Sequence, residues 1–328
     1  MSLNAIVDFL NKNNEFVIAT HYNPDADTIG SSLALYLSLV RIGKRVRVLC
    51  KDKTPKDCQF LPFIGEIIDF PRYMSLNSKP DALIIVDCNH INRVTRDMSE
   101  QVLFNDTFKI VIDHHETFAS YGDIVLIDPG IPSTSMIMYE LIKALDVEID
   151  KDIAECLYAG LCIDTGNFRH DNTNAQALLV ASELVSKGVN PSRVYRFLFE
   201  SWTIQKFRLF KATIQTLQEE NGIAMLTVTR AMLESHGCDD EDSGNFVDFP
   251  KKSLSIKVSV LIKEIDKDRY RVSIRSKGNI NVANVAMFYG GGGHRNAAGC
   301  TIEGDLDHIK KDLFQRIKVS ISDVENPS

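Results

Sequence analysis

The chain has 328 residues, of which 44% are apolar and 25% are charged, so it is long enough for about two globular domains. Its net charge of −7 disfavours a protein that grips long nucleic acid by counterion release, and favours a short substrate held in a cleft. The seven scattered cysteines lack CxxC spacing, which disfavours a disulfide framework or a structural zinc site and favours a reducing cytoplasm. The sequence has no run of about 18 uncharged apolar residues and no basic start before an apolar run, so neither a membrane span nor a signal peptide is expected.

The first half of the chain alternates short apolar runs with helical patterns. Strands are expected at 16–19, 45–49, 66–69, 82–86 and 109–112. Helices are expected at 28–40, 133–144, 153–163 and 175–187, with Ser133 as the cap of the second. The continuous apolar runs at 82–86 and 109–112 are typical of strands buried on both faces. The alternation therefore predicts an α/β domain with a parallel, doubly wound sheet between two layers of helices.

The pattern changes after Gly188, which ends a helix and begins a turn. An aromatic-rich helical stretch at 192–218 is interpreted as a packed hinge between domains, in preference to a base-stacking platform. Beyond it, strands are expected at 224–229, 255–262 and 269–275, helices at 281–288 and 305–320, and a solvated acidic loop at 239–244. The predicted parts are thus a larger domain at 1–187, a helical linker at 188–220, and a smaller mixed α/β domain at 221–328.

The first cluster of metal-binding residue types follows the first predicted strand. His21, Asp25 and Asp27 lie on a segment that Pro24 keeps from being regular helix. Ligands bind at the carboxyl ends of strands in open α/β sheets, and the amino end of the next helix favours an anion at the same place. This segment is therefore a candidate site for metals and phosphate.

Three further clusters follow in order along the chain. Asp87 and the triplet Asp113-His114-His115 each follow an apolar strand, and Asp164 ends a helical run. A lone Asp after a strand is commonly a cap or turn residue, but the fold would bring all four clusters together. Converging carboxylates repel one another unless cations hold them. Two divalent ions are therefore expected, Mn²⁺ before Mg²⁺ or Co²⁺, and a pair of ions suits displacement at phosphorus.

These four clusters, in this order, resemble the motifs of the DHH phosphoesterase superfamily, whose name is the triplet at 113–115. The segment 288–299, with glycines at 290–293 before His294, resembles the GGGGH signature of the associated DHHA1 domain, and 275–278 also fits that domain. The resemblance covers nearly the whole chain. Within the superfamily it is greatest to the nanoRNase/pAp phosphatase group, which is related to exopolyphosphatases, RecJ exonuclease and family II inorganic pyrophosphatase.

The resemblance implies a role for each clustered residue. It implies one metal held by His21, Asp25 and Asp87. It implies a second metal held by Asp27, Asp87, His114 and Asp164, so that Asp87 bridges the two. His115 would face the scissile phosphate, as an electrostatic partner or proton donor, and is with Asp87 a catalytic candidate. Asp113 would orient a ligand through a hydrogen bond, and His90 is interpreted as a loop residue because the ligand set is already full.

The glycine run has its own physical interpretation. Successive glycines let backbone amides approach an anion closely in a nest, although a flexible turn accounts for them equally well. The candidate substrate-binding residues are Arg275, Gly292, Gly293, His294 and Arg295. Arg275 could equally be a solvated strand residue. Arg169, near the metal cluster, could neutralise a phosphate or form a structural ion pair.

The sequence thus predicts hydrolysis of short oligoribonucleotides, of 3′-phosphoadenosine 5′-phosphate (pAp), or of both. The smaller domain is expected to close over the site and limit substrate length. Alternatives are hydrolysis of polyphosphate or pyrophosphate, hydrolysis of the linear cyclic-dinucleotide product pApA, and a nucleotide-binding sensor without catalysis. The expected partner is a short RNA or nucleotide, with no membrane, and a homodimer is left open.

Overall fold

The structure is a computed structural model that describes residues 3–76, 79–88, 90–95, 97–101, 105–115 and 121–325. The chain forms two compact units, Met1–Ser201 and Trp202–Ser328. The division between them falls inside the segment predicted as a linker.

The first unit is built on a parallel six-stranded sheet. Its strands are β1 (Glu15–Ala19), β2 (Arg45–Leu49), β3 (Ile67–Ile68), β4 (Ala82–Val86), β5 (Lys109–Asp113) and β6 (Ile124–Ile127). Their order across the sheet is β3-β2-β1-β4-β5-β6, so the direction of winding reverses between β1 and β4. Loops at the carboxyl ends of strands form a crevice at such a reversal. The predicted parallel, doubly wound sheet is confirmed.

Helices cover both faces of this sheet. They are α1 (Leu3–Lys12), α2 (Ala26–Arg41), α3 (Phe70–Ser75), α4 (Met98–Gln101), α5 (Thr134–Ala144), α6 (Lys151–Asp164), α7 (Ala175–Ser186) and α8 (Pro191–Phe199). In β1, Phe16 and Ile18 pack with α2, α5 and α6, whereas Val17 and Ala19 pack on the opposite face with residues of α3. The alternation of side chains along a strand therefore buries both faces.

Helices α2 and α6 pack closely, and two glycines permit it. A Cβ atom on Gly30 would lie 2.3 Å from the carbonyl oxygen of Cys156. A Cβ atom on Gly160 would lie 2.0 Å from Ser135 Oγ and 2.4 Å from Asp27 Oδ1. The second glycine therefore makes room for a carboxylate that belongs to the candidate site.

The second unit contains a mixed six-stranded sheet, as predicted for a smaller α/β domain. Its strands are β7 (Gln218–Glu220), β8 (Ile223–Val228), β9 (Val258–Asp266), β10 (Arg269–Ser276), β11 (Gly292–His294) and β12 (Ala297–Glu303), and its helices are α9 (Ile204–Ile214), α10 (Arg230–His236), α11 (Ala283–Phe288) and α12 (Leu306–Glu325). The order is β11-β12-β10-β9-β8-β7, with β8 and β9 parallel and the other neighbours antiparallel. Helices α11 and α12 pack on one face, and α9 covers β8 and β9 on the other.

The structure adds detail to three local predictions. The helical stretch 192–218 consists of two helices: α8 ends at Phe199, Thr203 caps α9, and Trp202 packs against Phe210 and Phe246 of the second unit. The acidic segment is largely exposed and forms a 3₁₀ turn at Asp240–Ser243 with its own capping box. Only part of the glycine run is a turn, because Gly292–His294 pairs with β12 as a strand. Within the described residues, no helix has the length and apolar content that crossing a membrane requires.

Candidate functional site

The segment after β1 brings His21, Asp25 and Asp27 to the carboxyl edge of the sheet. Asp25 is the N-cap of α2, and its Oδ1 accepts hydrogen bonds from the backbone N–H groups of Asp27 at 2.9 Å and Thr28 at 3.0 Å. His21 and Asp27 are buried, whereas Asp25 is exposed. The His21 Nδ1 lies 2.8 Å from the Tyr22 carbonyl, which leaves Nε2 turned towards the carboxylates.

Asp87 lies at the centre of the site, directly after β4. It is 2% exposed, and its backbone has a left-handed φ of 56°. Oδ2 accepts a hydrogen bond from Thr28 Oγ1 at 2.6 Å, and Oδ1 accepts one from Thr134 Oγ1 at 3.0 Å. Its carboxylate also lies 3.6 Å from His21 Nε2 and 3.7 Å from His114 Nε2. Asp87 therefore has neighbours on both sides, as a bridging ligand would need.

The triplet at 113–115 ends β5. Asp113 is fully buried, and its Oδ1 accepts hydrogen bonds from His115 Nδ1 at 2.6 Å and from the backbone N–H groups of both histidines. The carboxylate thus orients His115. Its second oxygen, Oδ2, has no hydrogen-bond partner in the described part of the chain. His114 turns the other way, with its Nε2 3.1 Å from Asp164 Oδ2 at the end of α6.

Asp27 also caps a helix, which the sequence did not predict. Its Oδ2 accepts a hydrogen bond from the N–H of Thr134 at 2.7 Å, and its Oδ1 accepts one from the N–H of Ser135 at 2.9 Å. A carboxylate of α2 therefore caps the amino end of α5. Ser133 does occupy the N-cap position as predicted, but its hydroxyl makes no capping hydrogen bond, because Asp27 already takes those amides.

The ligand atoms of these side chains lie within 4.8 Å of one another in three overlapping sets. The sets are His21, Asp25 and Asp87; Asp27, His114 and Asp164; and Asp87, His114 and His115. We call the seven residues together the carboxylate–imidazole cluster. The structure thus brings together all six predicted metal ligands. It also places His115, predicted to face the substrate, close enough to share an ion with Asp87 and His114.

The electrostatics of the cluster show an excess of buried negative charge. Burial and the Asp87 carboxylate raise the pKa of Asp27 to about 6. Burial and Asp27 raise the pKa of Asp164 well above its ordinary value. Burial lowers the pKa of His114, but the hydrogen bond to Asp164 and the nearby carboxylates outweigh it and raise that pKa to about 10. Burial would raise the pKa of Asp87, but the hydrogen bond to His21 and the surrounding imidazoles hold it below its ordinary value.

These pKa shifts and the types of donor atom indicate which ions the cluster fits. The cluster takes up protons wherever its carboxylates lack positive neighbours. Divalent cations would replace those protons on binding. Four carboxylates with imidazoles in overlapping sets are a donor set suited to Mn²⁺, Mg²⁺ or Co²⁺, and unlike the thiolate sets that favour structural zinc.

His90 and Arg169, two further polar residues that the sequence places near the site, are not among the seven residues of the cluster. His90 is exposed and caps a short 3₁₀ turn at Ile91–Arg93 through its Nδ1, in agreement with a loop residue. Arg169 is exposed, and its Nε donates to the carbonyl of Gly166 at 2.8 Å, so the proposed contact with a phosphate stays a prediction.

The candidate substrate-binding residues lie in the second unit. Arg275 is half-buried on β10, and its Nε lies 3.9 Å from Asp248 Oδ1. Gly292 and Gly293 lie on β11, and Arg295 is exposed in the turn between β11 and β12. The backbone of His294 pairs with Ala297, and its side chain lies outside the described part.

Sequence reasoning missed the hydroxyl residues that hold the cluster together. Thr28 and Thr134 are fully buried and donate to Asp87 from two sides, and Ser135 contributes its amide to Asp27. Thr28 directly follows Asp27, so the sequence alone could have indicated it. Thr134 and Ser135 are more than a hundred residues away from it, so only the tertiary fold reveals them.

Comparisons with known proteins agree with the motifs. Residues 15–161 match the DHH family, N-terminal domain, and residues 221–319 match the DHHA1 domain. The bifunctional oligoribonuclease and PAP phosphatase NrnA of Thermus thermophilus is 33% identical, over 93% of this chain and 90% of that protein. The protein of the same name from Bacillus subtilis is 27% identical, over 90% of this chain and 93% of that protein.

A solved structure extends the likeness to three dimensions. The crystal structure of an exopolyphosphatase-related protein from Bacteroides fragilis matches with a TM-score of 0.89 and 27% identity, over 96% of this chain and 94% of that chain. The resemblance inferred from the ordered motifs is therefore confirmed. The chain belongs to the DHH family and carries a DHHA1 domain after its DHH domain.

Proposed function

We propose that this chain is a two-metal phosphoesterase that hydrolyses short oligoribonucleotides and pAp. The observation that carries the proposal is the convergence of four aspartates and three histidines at one edge of the parallel sheet, with Asp87 shared between two sets. The name of the relative from Thermus thermophilus supports the substrate class. The net charge of −7 also suits a short substrate better than a long nucleic acid.

We assign the cluster to two divalent ions. One would be held by His21, Asp25 and Asp87, and the other by Asp27, Asp87, His114 and Asp164. Mn²⁺ is the ion that we expect, with Mg²⁺ or Co²⁺ as alternatives, because carboxylates with some imidazole suit these ions. When bound, such a pair supplies Lewis-acid catalysis for in-line displacement at phosphorus.

His115 is the protein group that we assign to the scissile phosphate. The hydrogen bond of 2.6 Å from its Nδ1 to the buried Asp113 fixes the orientation of the ring. We assign its Nε2 to the phosphate, where it would stabilise charge or give a proton to the leaving oxygen. Asp113 would act through His115 and not as a metal ligand.

Thr134 offers a direct test of how the cluster is held. Thr134→Val keeps the backbone donor to Asp27 but removes the hydroxyl donor to Asp87. Loss of a hydrogen bond to a metal ligand weakens metal binding about 10–100-fold, so a drop in Mn²⁺ affinity within that range is expected by calorimetry. Thr134→Ser should restore the affinity. Equal affinities for the valine and serine variants would contradict this role.

For the second unit, we propose that the substrate lies on one face of its sheet. Side chains of Arg271, Ser273 and Arg275 alternate with the buried Val272 and Ile274 along β10, and so point away from α12. The half of this face over β8 and β9 is covered by α9. Over β10, β12 and β11, the register aligns Ser273 of this face with Gly299 and Gly292, which form a row without large side chains.

The glycines at 291–293 indicate where a ligand would approach this sheet. Gly291 and Gly293 are required by packing, because a Cβ on either would lie within 2.4 Å of a carbonyl oxygen of β12. Gly292 has an ordinary backbone conformation, and a Cβ there would meet no described atom within 4 Å. A strand glycine without a structural reason often marks close approach of a ligand. Arg271 and Arg275 lie on either side of that row and would neutralise phosphates.

A valine in place of Gly292 is the matching test. The space is open and valine favours strands, so Gly292→Val should leave the melting temperature unchanged or raise it slightly. The side chain should nevertheless exclude the substrate and raise KM for a trinucleotide about tenfold, equal to about 1.4 kcal/mol of binding. Steady-state kinetics would show this, and an unchanged KM would remove Gly292 from the substrate surface.

A substrate panel tests the proposed function itself. With Mn²⁺, the purified protein should release mononucleotides from di- to pentanucleotides and phosphate from pAp. Inclusion of pApA, polyphosphate and pyrophosphate tests the alternatives, of which the exopolyphosphatase-related neighbour makes polyphosphate the second candidate. Faster hydrolysis of polyphosphate than of a dinucleotide would replace the proposal, and binding without turnover would indicate a sensor.

We also propose a cytoplasmic location. All seven cysteines are free thiols, and six of them are buried. Free thiols persist in reducing compartments, so this cysteine usage supports the cytoplasm.

A further inference from the structure

The first unit contains a second concavity at the same edge of its sheet as the carboxylate–imidazole cluster. It has a volume of about 580 Å³ and lies where β2 and β3 end. Ligand-binding pockets commonly have volumes of about 300–1,000 Å³ and combine an apolar lining with a few polar groups. We call it the β2–β3 pocket. None of the predicted site residues lines it.

The lining of the β2–β3 pocket has an apolar part and a polar part. Ile64 and Ile67 are half-buried and Ile68 is buried, so they provide apolar surface. Lys53, Thr54 and Gln59 provide the polar part. The Gln59 amide nitrogen donates to the carbonyl of Thr54 and to its hydroxyl, which leaves the amide oxygen to accept a hydrogen bond from a ligand.

The charges around the pocket leave one cation uncommitted. Lys51 forms an ion pair with Glu100. Asp69 caps α3 by accepting from the N–H of Arg72 at 2.9 Å. Lys53 is exposed and forms no ion pair within the described residues. The pocket therefore pairs an apolar surface with one available positive charge, which suits a nucleobase and an adjoining phosphate.

One hydrogen bond joins a lining residue of this pocket to the segment after β1, and a second joins the ends of β1 and β2 beside it. Asp52, which also lines it, accepts from the N–H of Asn23 at 2.7 Å through Oδ2. The N–H of Thr20 donates to the carbonyl of Leu49 at 3.1 Å. The pocket thus adjoins the loop that carries His21 and Asp25. A substrate whose scissile phosphate lies at the cluster would have its next nucleotide within reach.

We infer that the β2–β3 pocket binds the nucleotide that adjoins the cleaved one, with Lys53 on its phosphate. This inference rests on the proposed hydrolysis of short oligonucleotides. It also distinguishes two substrates of the same enzyme, because a trinucleotide can fill the pocket whereas pAp has only one nucleoside.

Lys53→Ala tests the inference, with Lys12→Ala as the matched control. Lys12 is exposed at the end of α1, just before the amino end of β1, so its loss removes the same charge from the opposite edge of the sheet. Lys53→Ala should raise KM for a trinucleotide about 5–10-fold, the effect of losing one charge-assisted contact, and should leave KM for pAp unchanged. Lys53→Glu should raise it further. Lys12→Ala should change neither value.

Three results would overturn the inference: an unchanged KM in Lys53→Ala, an equal rise for pAp, or an equal rise in Lys12→Ala. Failure of the proposed function is distinguishable, because the wild-type protein would then cleave neither substrate. Failure of the pocket alone leaves full cleavage with a KM that does not depend on Lys53.

Discussion

Asp87→Ala should abolish hydrolysis, with a loss on the order of 10³-fold or more, because one carboxylate serves both proposed ions. Its two oxygens are held by Thr28 and Thr134, and it lies within 3.7 Å of imidazoles on both sides. Initial rates on a trinucleotide with saturating Mn²⁺ measure the loss, and circular dichroism establishes that the variant is folded.

A matched control is available at the same edge of the sheet. Asp128 follows β6 just as Asp87 follows β4, but it is exposed, and its carboxylate accepts a hydrogen bond from the N–H of Gly130. Asp128→Ala should keep wild-type activity. Asp87→Asn, which preserves the size of the side chain, should be as inactive as the alanine variant. Activity in folded Asp87→Ala above a few per cent of wild type would mean that the ions, if present, do not depend on this residue.

Gly160→Ala should weaken metal binding at the site, although it changes no proposed ligand. The new methyl group would lie 2.0 Å from Ser135 Oγ and 2.4 Å from Asp27 Oδ1, so the Asp27 carboxylate must move. That carboxylate also caps α5, and its movement would disturb Thr134 and hence Asp87. We expect Mn²⁺ affinity to fall at least tenfold, and stability to fall by about 1–3 kcal/mol from overpacking.

Gly30→Ala separates these two effects. It overpacks the same helix pair, since its Cβ would lie 2.3 Å from the carbonyl oxygen of Cys156, but it touches no proposed ligand. Both variants should melt at a lower temperature than the wild type, but Gly160→Ala should lose more Mn²⁺ affinity than Gly30→Ala. Mn²⁺ titrations of the two variants, at a temperature well below both melting temperatures, compare their affinities. Equal losses of affinity would show that Gly160 matters only for stability.

The sequence predicts the convergence of the cluster for a simple geometric reason. Parallel strands end at a common edge, so acidic and imidazole residues after β1, β4 and β5 must meet if the strands are adjacent. The strand order places these three side by side. Asp164 joins them because α6 ends beside His114. The assignment of each residue to a particular ion, and of His115 to the substrate, stays a prediction.

What the sequence did not predict depends on long-range packing. The capping of α5 by Asp27 joins residues on two helices, and no local pattern distinguishes Ser133, which lacks a capping bond, from a working cap. The need for glycine at 160 likewise follows from the approach of α2 to α6. These contacts set the geometry of the site, although they lie outside the motifs.

Other misses concern elements whose sequences carry weak or unused signals. Helix α1 is not among the expected elements, although Ile6 and Leu10 are spaced as on one face of a helix. Strand β12 begins Ala-Ala-Gly-Cys, with β-branched residues only at Thr301 and Ile302, and β11 consists of two glycines and a histidine, so both carry a weak strand signal. Pairing with β10 makes β12 a strand despite its composition.

Mn²⁺ titration of metal-stripped protein, followed by both calorimetry and trinucleotide hydrolysis, tests the two-metal centre most directly. The structure predicts two bound ions per chain, with activity that appears as the second ion binds. The Asp87→Asn variant should lose both binding events or the tighter one, because both proposed sites use that carboxylate. Full activity with a single equivalent, or without any divalent ion, would contradict a two-metal mechanism.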